Sequence, residues 1–252
     1  DQAVSEAVAN NAGLIAAKYN LAIADARLLT ASLRPNPVLS VGSDHLDVLG
    51  TGYNAVNNAG PAEYSLRTDF VLERGGKRAR RTDEARSAKE VAELQFLDAV
   101  RSLTMDVQEA GVEVQTEKAN LTLAEENLTA FREIVKVNEL RLRSGDLAEV
   151  ELLRTQLAEL QFENSVRQTQ LRLDAARTHL SVLLGRDRRA NLVDIRDEFR
   201  HDAAPVTLDG LIQEANRLRP DLRALEQEQA RSLAEVRLQI AQGKVDYTVG
   251  TE

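Results

Sequence analysis

Apolar residues recur at helical spacing from the beginning of the chain. Over residues 3–33, Val4, Ala7, Leu14, Ala17, Leu21 and Leu28 share one side, and Pro35 with Pro37 stops the run, so the spacing predicts a first helix. The period then changes. Residues 38–49 read Val-Leu-Ser-Val-Gly-Ser-Asp-His-Leu-Asp-Val-Leu, and in 63–73 Tyr64, Leu66, Thr68, Phe70 and Leu72 alternate with Ser65, Arg67, Asp69 and Val71. With a Gly- and Asn-rich loop at 50–61 between them, these runs predict two antiparallel strands. A strand of about ten residues has the length of a tilted membrane-crossing strand, and a solvent-facing hairpin of a soluble domain has the same pattern.

From Lys77 to Arg143 the chain has no proline, and positions 100, 103, 107, 110, 114, 117, 121, 124, 128, 131, 135, 138 and 142 follow unbroken three-four steps. They carry Val, Leu, Val, Ala, Val, Glu, Leu, Ala, Leu, Phe, Val, Asn and Leu, a sustained heptad seam. Ser144-Gly145-Asp146 interrupts it; Leu147, Val150, Leu153, Leu157 and Leu160 then open a second seam in a helix reaching about Gly185. A turn this short predicts antiparallel helices, with Gly145 ending the first and Asp146 capping the second. Residues 186–208 are a connector with little periodicity, expected to hold loops and short elements. At about 1.5 Å per residue, the helix over 77–143 is roughly 100 Å long, and those over 3–33 and 147–185 together match it. The expected architecture is a rod, the first helix stacked end to end on the third beside the long one.

The beginning of the chain recurs near its end, at an offset of about 208 residues. Asp1-Gln-Ala-Val-Ser-Glu-Ala lies over Asp209-Gly-Leu-Ile-Gln-Glu-Ala, and Leu39-Ser-Val-Gly-Ser-Asp44 over Tyr247-Thr-Val-Gly-Thr-Glu252. The helix-to-strand switch falls in register. The expected segments are thus 1–34, a first helix; 38–73, a strand pair; 77–185, a helical hairpin; 186–208, a connector; and 209–252, the start of a second copy. A complete two-copy chain would need about 416 residues, so the sequence is expected to be a fragment.

Composition narrows the partners. Forty acidic against 32 basic side chains give a formal charge of -8, which repels a phosphate backbone, and no basic block interleaved with aromatics offsets it. Nucleic acid is excluded as a natural partner on this ground. With no cysteine, disulfide frameworks and thiolate chemistry are absent, a composition compatible with cytosol or periplasm. No apolar run approaches the roughly 20 residues of a spanning helix. The chain is therefore expected to be soluble, to meet a membrane by strands, or to have lost a signal peptide.

Candidate chemistry is sparse. Gly75-Gly76-Lys77-Arg78 has the glycines and lysine of an anion-cradling helix start but not the spacing of a nucleotide loop; a strand-to-helix bend fits it better. His45, His179 and His201 are the histidines, none at ligand spacing from another, so no metal site is expected. Glu117 and Asn138 interrupt the seam either to face a hydrated groove or to fix register. Paired acids such as Asp83-Glu84 and Glu125-Glu126 read as solvated helix faces. No catalytic constellation stands out, so neither enzymatic activity nor a cofactor is expected.

The order of these signals, from Arg34-Pro35-Asn36-Pro37 and the strand pair through Leu72-Glu73-Arg74-Gly75-Gly76-Lys77-Arg78, the hairpin turn at Arg143-Ser144-Gly145, Leu183-Leu184-Gly185 and Arg219-Pro220-Asp221-Leu222, resembles the outer-membrane efflux (TolC-like) family. The segment at Gly75–Arg78 is most similar to its heavy-metal cation branch. The resemblance implies a mainly α fold with a β-hairpin: a long antiparallel helical hairpin forming part of an α-barrel, plus strands of a trimeric transmembrane β-barrel. It further implies a passive homotrimeric conduit in the bacterial outer membrane with a long periplasmic extension. That conduit exports small molecules or metal cations, and a periplasmic adaptor protein links it to the inner-membrane pump of a type I secretion or RND-type system. Under it, Tyr64, Leu66, Phe70 and Leu72 face outer-membrane lipid while Arg67 and Asp69 face the lumen, and Arg141, Arg143, Ser144, Gly145, Asp146 and Leu147 form an adaptor-docking tip. The alternative is a soluble coiled-coil scaffold or adaptor, which the heptads fit equally well but the strand pair does not.

Overall fold

The structure, a computed structural model, describes residues 1–44, 63–187, 193–195 and 207–251. Its elements run α1 (Gln2–Asn10), α2 (Ala12–Ser32), β1 (Val38–Asp44), β2 (Glu63–Leu72), α3 (Lys77–Arg143), α4 (Glu149–Leu183), α5 (Leu208–Leu218), α6 (Pro220–Gln242) and β3 (Tyr247–Thr251). The fold is mainly helical with one small antiparallel sheet, as the periodicity predicts. The loop over 50–61, His45, His201 and most of the 186–208 connector lie outside the described residues. The chain divides into two units, one of residues 1–19 and 96–218, the other of 20–95 and 219–252.

In the first unit α3 and α4 form the antiparallel hairpin. Contacts count down one helix as they count up the other: Asn138 meets Thr155 at 3.0 Å, Phe131 meets Phe162 with ring centroids 4.7 Å apart, and Glu113 meets His179 at 3.6 Å. Every heptad position predicted on α3 is buried or half-buried. Asn138 donates its side-chain amide to the Thr155 hydroxyl, the register-fixing use of a polar seam position. Glu117 has a buried carboxylate oxygen without a partner among the described residues.

On α4 the predicted seam is displaced. Val150, Leu153, Leu157 and Leu160 are more than half exposed. The face on α3 is instead the stripe through Leu152, Thr155, Phe162, Val166, Thr169, Leu173, Ala176 and Leu180. Its Thr and Ala positions disguise it in the sequence, whereas the outer stripe is all aliphatic.

The predicted first helix is two helices. At Asn11 the backbone is extended, φ -64° and ψ 119°. The Asn11 carboxamide oxygen accepts the Leu14 amide at 3.0 Å, capping α2, while its NH2 donates to the Leu183 carbonyl at 3.0 Å. Beside it Arg186 pairs with Glu6 at 2.5 Å. Gly185 has φ +71°, and a β-carbon there would collide with the Asn10 carbonyl, so the end of α4 meets the α1–α2 break backbone to backbone. The end-to-end junction thus exists at the break, with α1 lying beyond it: Ala7 is fully buried with Val107, Ala110, Val114, Leu173 and Leu180. From the connector, Ile195 packs into the space beside Gly111, and Asp194 accepts Lys118 at 3.0 Å and Arg177 at 3.3 Å. The Lys118 ammonium, with Arg177 beside it, holds the Asp194 carboxyl below the usual aspartate range.

In the second unit the buried residues are mostly small: Ala31 of α2, Ala85 and Val91 of α3, and Ala224, Ala234, Leu238 and Ala241 of α6. Lys89 pairs with Asp25 at 2.8 Å and Arg231 with Glu84 at 3.0 Å. At Arg219, 208 residues beyond Asn11, the helix breaks again with φ -65° and ψ 118°, and Pro220 opens α6. The strands form one sheet in the order β1-β2-β3, both pairings antiparallel.

The two stripes of α4 make opposite predictions. Leu180→Ala, at a fully buried site, should destabilise the chain by about 2–5 kcal/mol in urea unfolding of the monomer. Leu157→Ala should stay within about 0.5 kcal/mol, and a larger cost would return the packing face to the outer stripe.

Candidate functional site

Directly paired residues of an antiparallel sheet share a face, so the register sorts the strands without ambiguity. Ser43, Val41 and Leu39 lie opposite Tyr64, Leu66 and Thr68, and Phe70 and Leu72 lie opposite Val249 and Tyr247. That face is nearly continuous in apolar side chains, all at least half exposed: Val41 is 78% exposed, Tyr64 76% and Leu66 62%, and only Tyr247 is overlaid among the described residues, by Arg74. The other face carries Ser40, Gly42, Ser65, Arg67, Asp69, Thr248 and Gly250, together with Val38 and Val71 near the corner. On it Arg67 Nε lies 3.0 Å from both Asp69 carboxylate oxygens. A β-carbon at Gly42 would meet the Ser65 hydroxyl at 2.6 Å, and one at Gly250 would collide with Asp69. Glycine at these sites lets polar side chains of β2 lie over the neighbouring strands.

The strand-to-helix corner after β2 is built by Gly75 and Gly76, both with positive φ, 75° and 70°. A side chain at Gly75 would meet the Lys244 side chain at 2.6 Å. Lys77, only 8% exposed, directs its ammonium to Asp246 Oδ2 at 2.7 Å, and the Arg74 amide donates to Asp246 Oδ1 at 2.9 Å. Arg74 also stacks over the Tyr247 ring at 4.7 Å and donates to its hydroxyl at 2.7 Å. Arg81 pairs with Glu73 at 2.7 Å and donates to the carbonyls of Ala31 and Leu33, at 3.1 and 3.0 Å. The Gly-Gly-Lys segment is therefore a bend whose lysine is neutralised. Sequence reading assigned the bend but not Asp246 or Arg81; their signal lay in tertiary pairing, which periodicity does not carry.

At the other end of α3 the turn closes as a Schellman motif. The Gly145 amide donates to the Leu142 carbonyl at 3.0 Å and the Asp146 amide to the Arg141 carbonyl at 2.8 Å, with Gly145 at φ +82°. Arg141 and Arg143 sit in the last turn, where cations complement the helix dipole. Asp146 does not cap α4. The N-cap is Ala148, without a side-chain bond, and the Asp146 carboxylate lies 3.0 Å from the Ser144 hydroxyl. Five of the six expected tip residues are exposed, Leu147 being half-buried.

His179, with an exposed side chain, is beside Glu113. Among the described residues no group of His, Asp and Glu has the makings of a metal site, and no helix is long and apolar enough to cross a membrane.

Residues 3–186 match the family model described as outer membrane efflux protein. The chain belongs to that family. Membership assigns it to the bacterial outer membrane. Three solved structures share the fold. One is the outer-membrane channel OprN, 23% identical, with a TM-score of 0.79 over 99% of this chain and 57% of that one. The second is CusC, described in connection with transmembrane channel formation, 20% identical with TM-score 0.78 over 99% and 58%. The third is the Campylobacter jejuni CmeC outer membrane channel, 17% identical with TM-score 0.77 over 99% and 54%. The chain thus spans little more than half the length of each. No curated protein matches the sequence significantly.

The corner predicts a pH dependence. The Lys77 ammonium, with the Arg74 amide, holds the Asp246 carboxyl below the usual aspartate range. A depressed carboxyl contributes stability above the unfolded-state pKa and loses it as pH falls through the folded one. Melting temperature should therefore drop in acid, from the ordinary aspartate range downward, and Asp246→Asn should flatten that part of the profile. An unchanged acid limb in the variant would remove Asp246 from the corner's stability.

Proposed function

We propose that the chain forms part of the wall of a passive, homotrimeric outer-membrane conduit of a tripartite efflux system, passing small molecules or metal cations outward. The observation that carries this reading is the sheet face. An apolar surface of three strands left largely exposed, backed by a face bearing an Arg-Asp pair and glycines, suits strands set between lipid and water. Among the described residues the edges of β1 and β3 are unpaired, and in lipid each unpaired backbone group is costly, so further strands must close the barrel. Trimer assembly and the remainder of the protein's length would supply them. The helix breaks at Asn11 and Arg219 support a two-copy architecture, since helix, break, helix and strand follow in the same order on either side of the hairpin.

On this reading Tyr64, Leu66, Phe70 and Leu72 contact outer-membrane lipid, Arg67 and Asp69 line the lumen, and residues 141–147 dock a periplasmic adaptor that links the conduit to an inner-membrane pump. The tip is suited to that role because its backbone is fixed by the Schellman bonds and the site above Gly145 is open space. The metal-cation branch rests on Gly75–Arg78 alone, and those residues build a bend; substrate choice belongs to the pump.

Placing a charge on the lipid face costs about 2–4 kcal/mol at mid-membrane. Leu66→Arg in the full-length protein should therefore impair outer-membrane assembly far more than Arg67→Glu, measured as heat-resistant trimers in membrane fractions. Equal assembly of the two would favour a soluble scaffold.

Docking is tested at Gly145. Ala and Trp there share the backbone strain of positive φ, about 1–2 kcal/mol, but only Trp adds bulk over the tip. Gly145→Trp should abolish export and adaptor crosslinking with trimers intact, whereas Gly145→Ala should keep most of both. Unchanged crosslinking in the Trp variant would sink the docking role.

A further inference from the structure

At the corner where α2 passes into β1 lies a cavity of about 580 Å³, lined by Arg27, Arg34, Arg81, Asn36, Leu33 and Pro35 among others. We propose that this cavity is a binding site for an anionic phosphate group, the headgroup of a membrane phospholipid or free phosphate. The inference rests on the reading of β1 and β2 as membrane strands only for the lipid source.

Its charge comes from two arginines. Arg81 is committed: it pairs with Glu73 and covers the Ala31 and Leu33 carbonyls. This cancels the acid at the corner and masks the negative end of the α2 dipole, which would otherwise repel an anion. Thr82 adds a second donor to the Ala31 carbonyl at 3.3 Å. The other acid near this stretch of α2, Asp25, is held by Lys89 at 2.8 Å. Arg27 and Arg34, by contrast, have no hydrogen-bonded or charged partner among the described residues. Two guanidinium groups, permanently charged and shaped for forked contacts to phosphate oxygens, face one cavity, and the nearby acids Glu73 and Asp25 are each held by a cation. Asn36 adds an amide donor.

The other lining is apolar. Leu33, 55% exposed, and Pro35 lead within a few residues to Leu39 and Val41, on the uncovered face of the sheet. A cationic wall and an apolar wall at the foot of a lipid-facing strand match the phosphate of a lipid with the start of its acyl chains, at the depth where headgroups lie. This favours the lipid source.

The test uses the full-length protein in nanodiscs of phosphatidylcholine with and without phosphatidylglycerol, and in detergent with inorganic phosphate. Retained lipid is read by native mass spectrometry, and phosphate by calorimetry. The parent should retain phosphatidylglycerol in preference to phosphatidylcholine. The double variant R27Q/R34Q, which removes no hydrogen bond or ion pair among the described residues, should lose that retention by about tenfold or more, as two charge-assisted contacts are removed. R172Q, an exposed arginine of α4, should behave as the parent. Inorganic phosphate that binds the parent but not R27Q/R34Q, with no lipid preference, would assign the free-phosphate source. Equal phosphatidylglycerol retention and equal phosphate binding by parent and R27Q/R34Q would overturn the site. Failure of the parent to enter nanodiscs of either composition would instead count against the membrane strands, with the detergent arm still deciding the cavity.

Discussion

The Asp246 carboxylate holds the strand end of the molecule together. It accepts a nearly buried ammonium from Lys77 at 2.7 Å and a backbone amide from Arg74 at 2.9 Å, so one side chain just before β3 fixes the corner just after β2. Once that corner is set, Tyr247 can lie only opposite Leu72, and Val249 opposite Phe70. A slip of one residue would turn every side chain of β3 to the other face, mixing polar and apolar surfaces. The uncovered apolar face, and with it the membrane reading, depends on this register.

The α3 seam and the strand alternation were legible because each carries a single dominant pattern. Thirteen consecutive three-four positions on α3 outweigh its outer apolar residues such as Met105, Val112 and Leu123, and Tyr64 to Leu72 alternates except at Thr68 and Val71. The α4 seam was misread because that helix has two stripes offset by two residues, Val150, Leu153 and Leu160 against Leu152, Thr155 and Phe162. Periodicity reports that a helix has an apolar side but not which neighbour meets it, and the stripe touching α3 contains Thr155, Thr169 and Ala176. The break at Asn11 was missed because Asn is tolerated within helices. Its signal, an asparagine three residues before Leu14 with a second asparagine before it, is legible only once a cap is sought.

At the candidate site, residue identities were readable and partnerships were not. Gly145 ends α3 as its sequence context demands, since a positive φ there releases the carbonyls of Arg141 and Leu142 to the turn. Asp146 was read as a cap because acids favour helix starts, but the Ser144 hydroxyl, two residues away, competes for it and wins. Lys77 was placed at a strand-to-helix bend, but its role as the counterion of an acid far along the chain was not read. Such pairings arise from topology, which no local window contains.

The contacts of α1 also constrain how this protein comes into being. Glu6 waits for Arg186, and Asn11 for Leu183, across separations of 180 and 172 residues. A ribosome delivers those partners many seconds after α1 emerges. Closing so large a loop is entropically uphill until α3 and α4 have already paired. The hairpin is therefore the template and α1 the late arrival, so during biogenesis the chain carries an orphaned amphipathic helix ahead of the hairpin, a handle for any chaperone that escorts it.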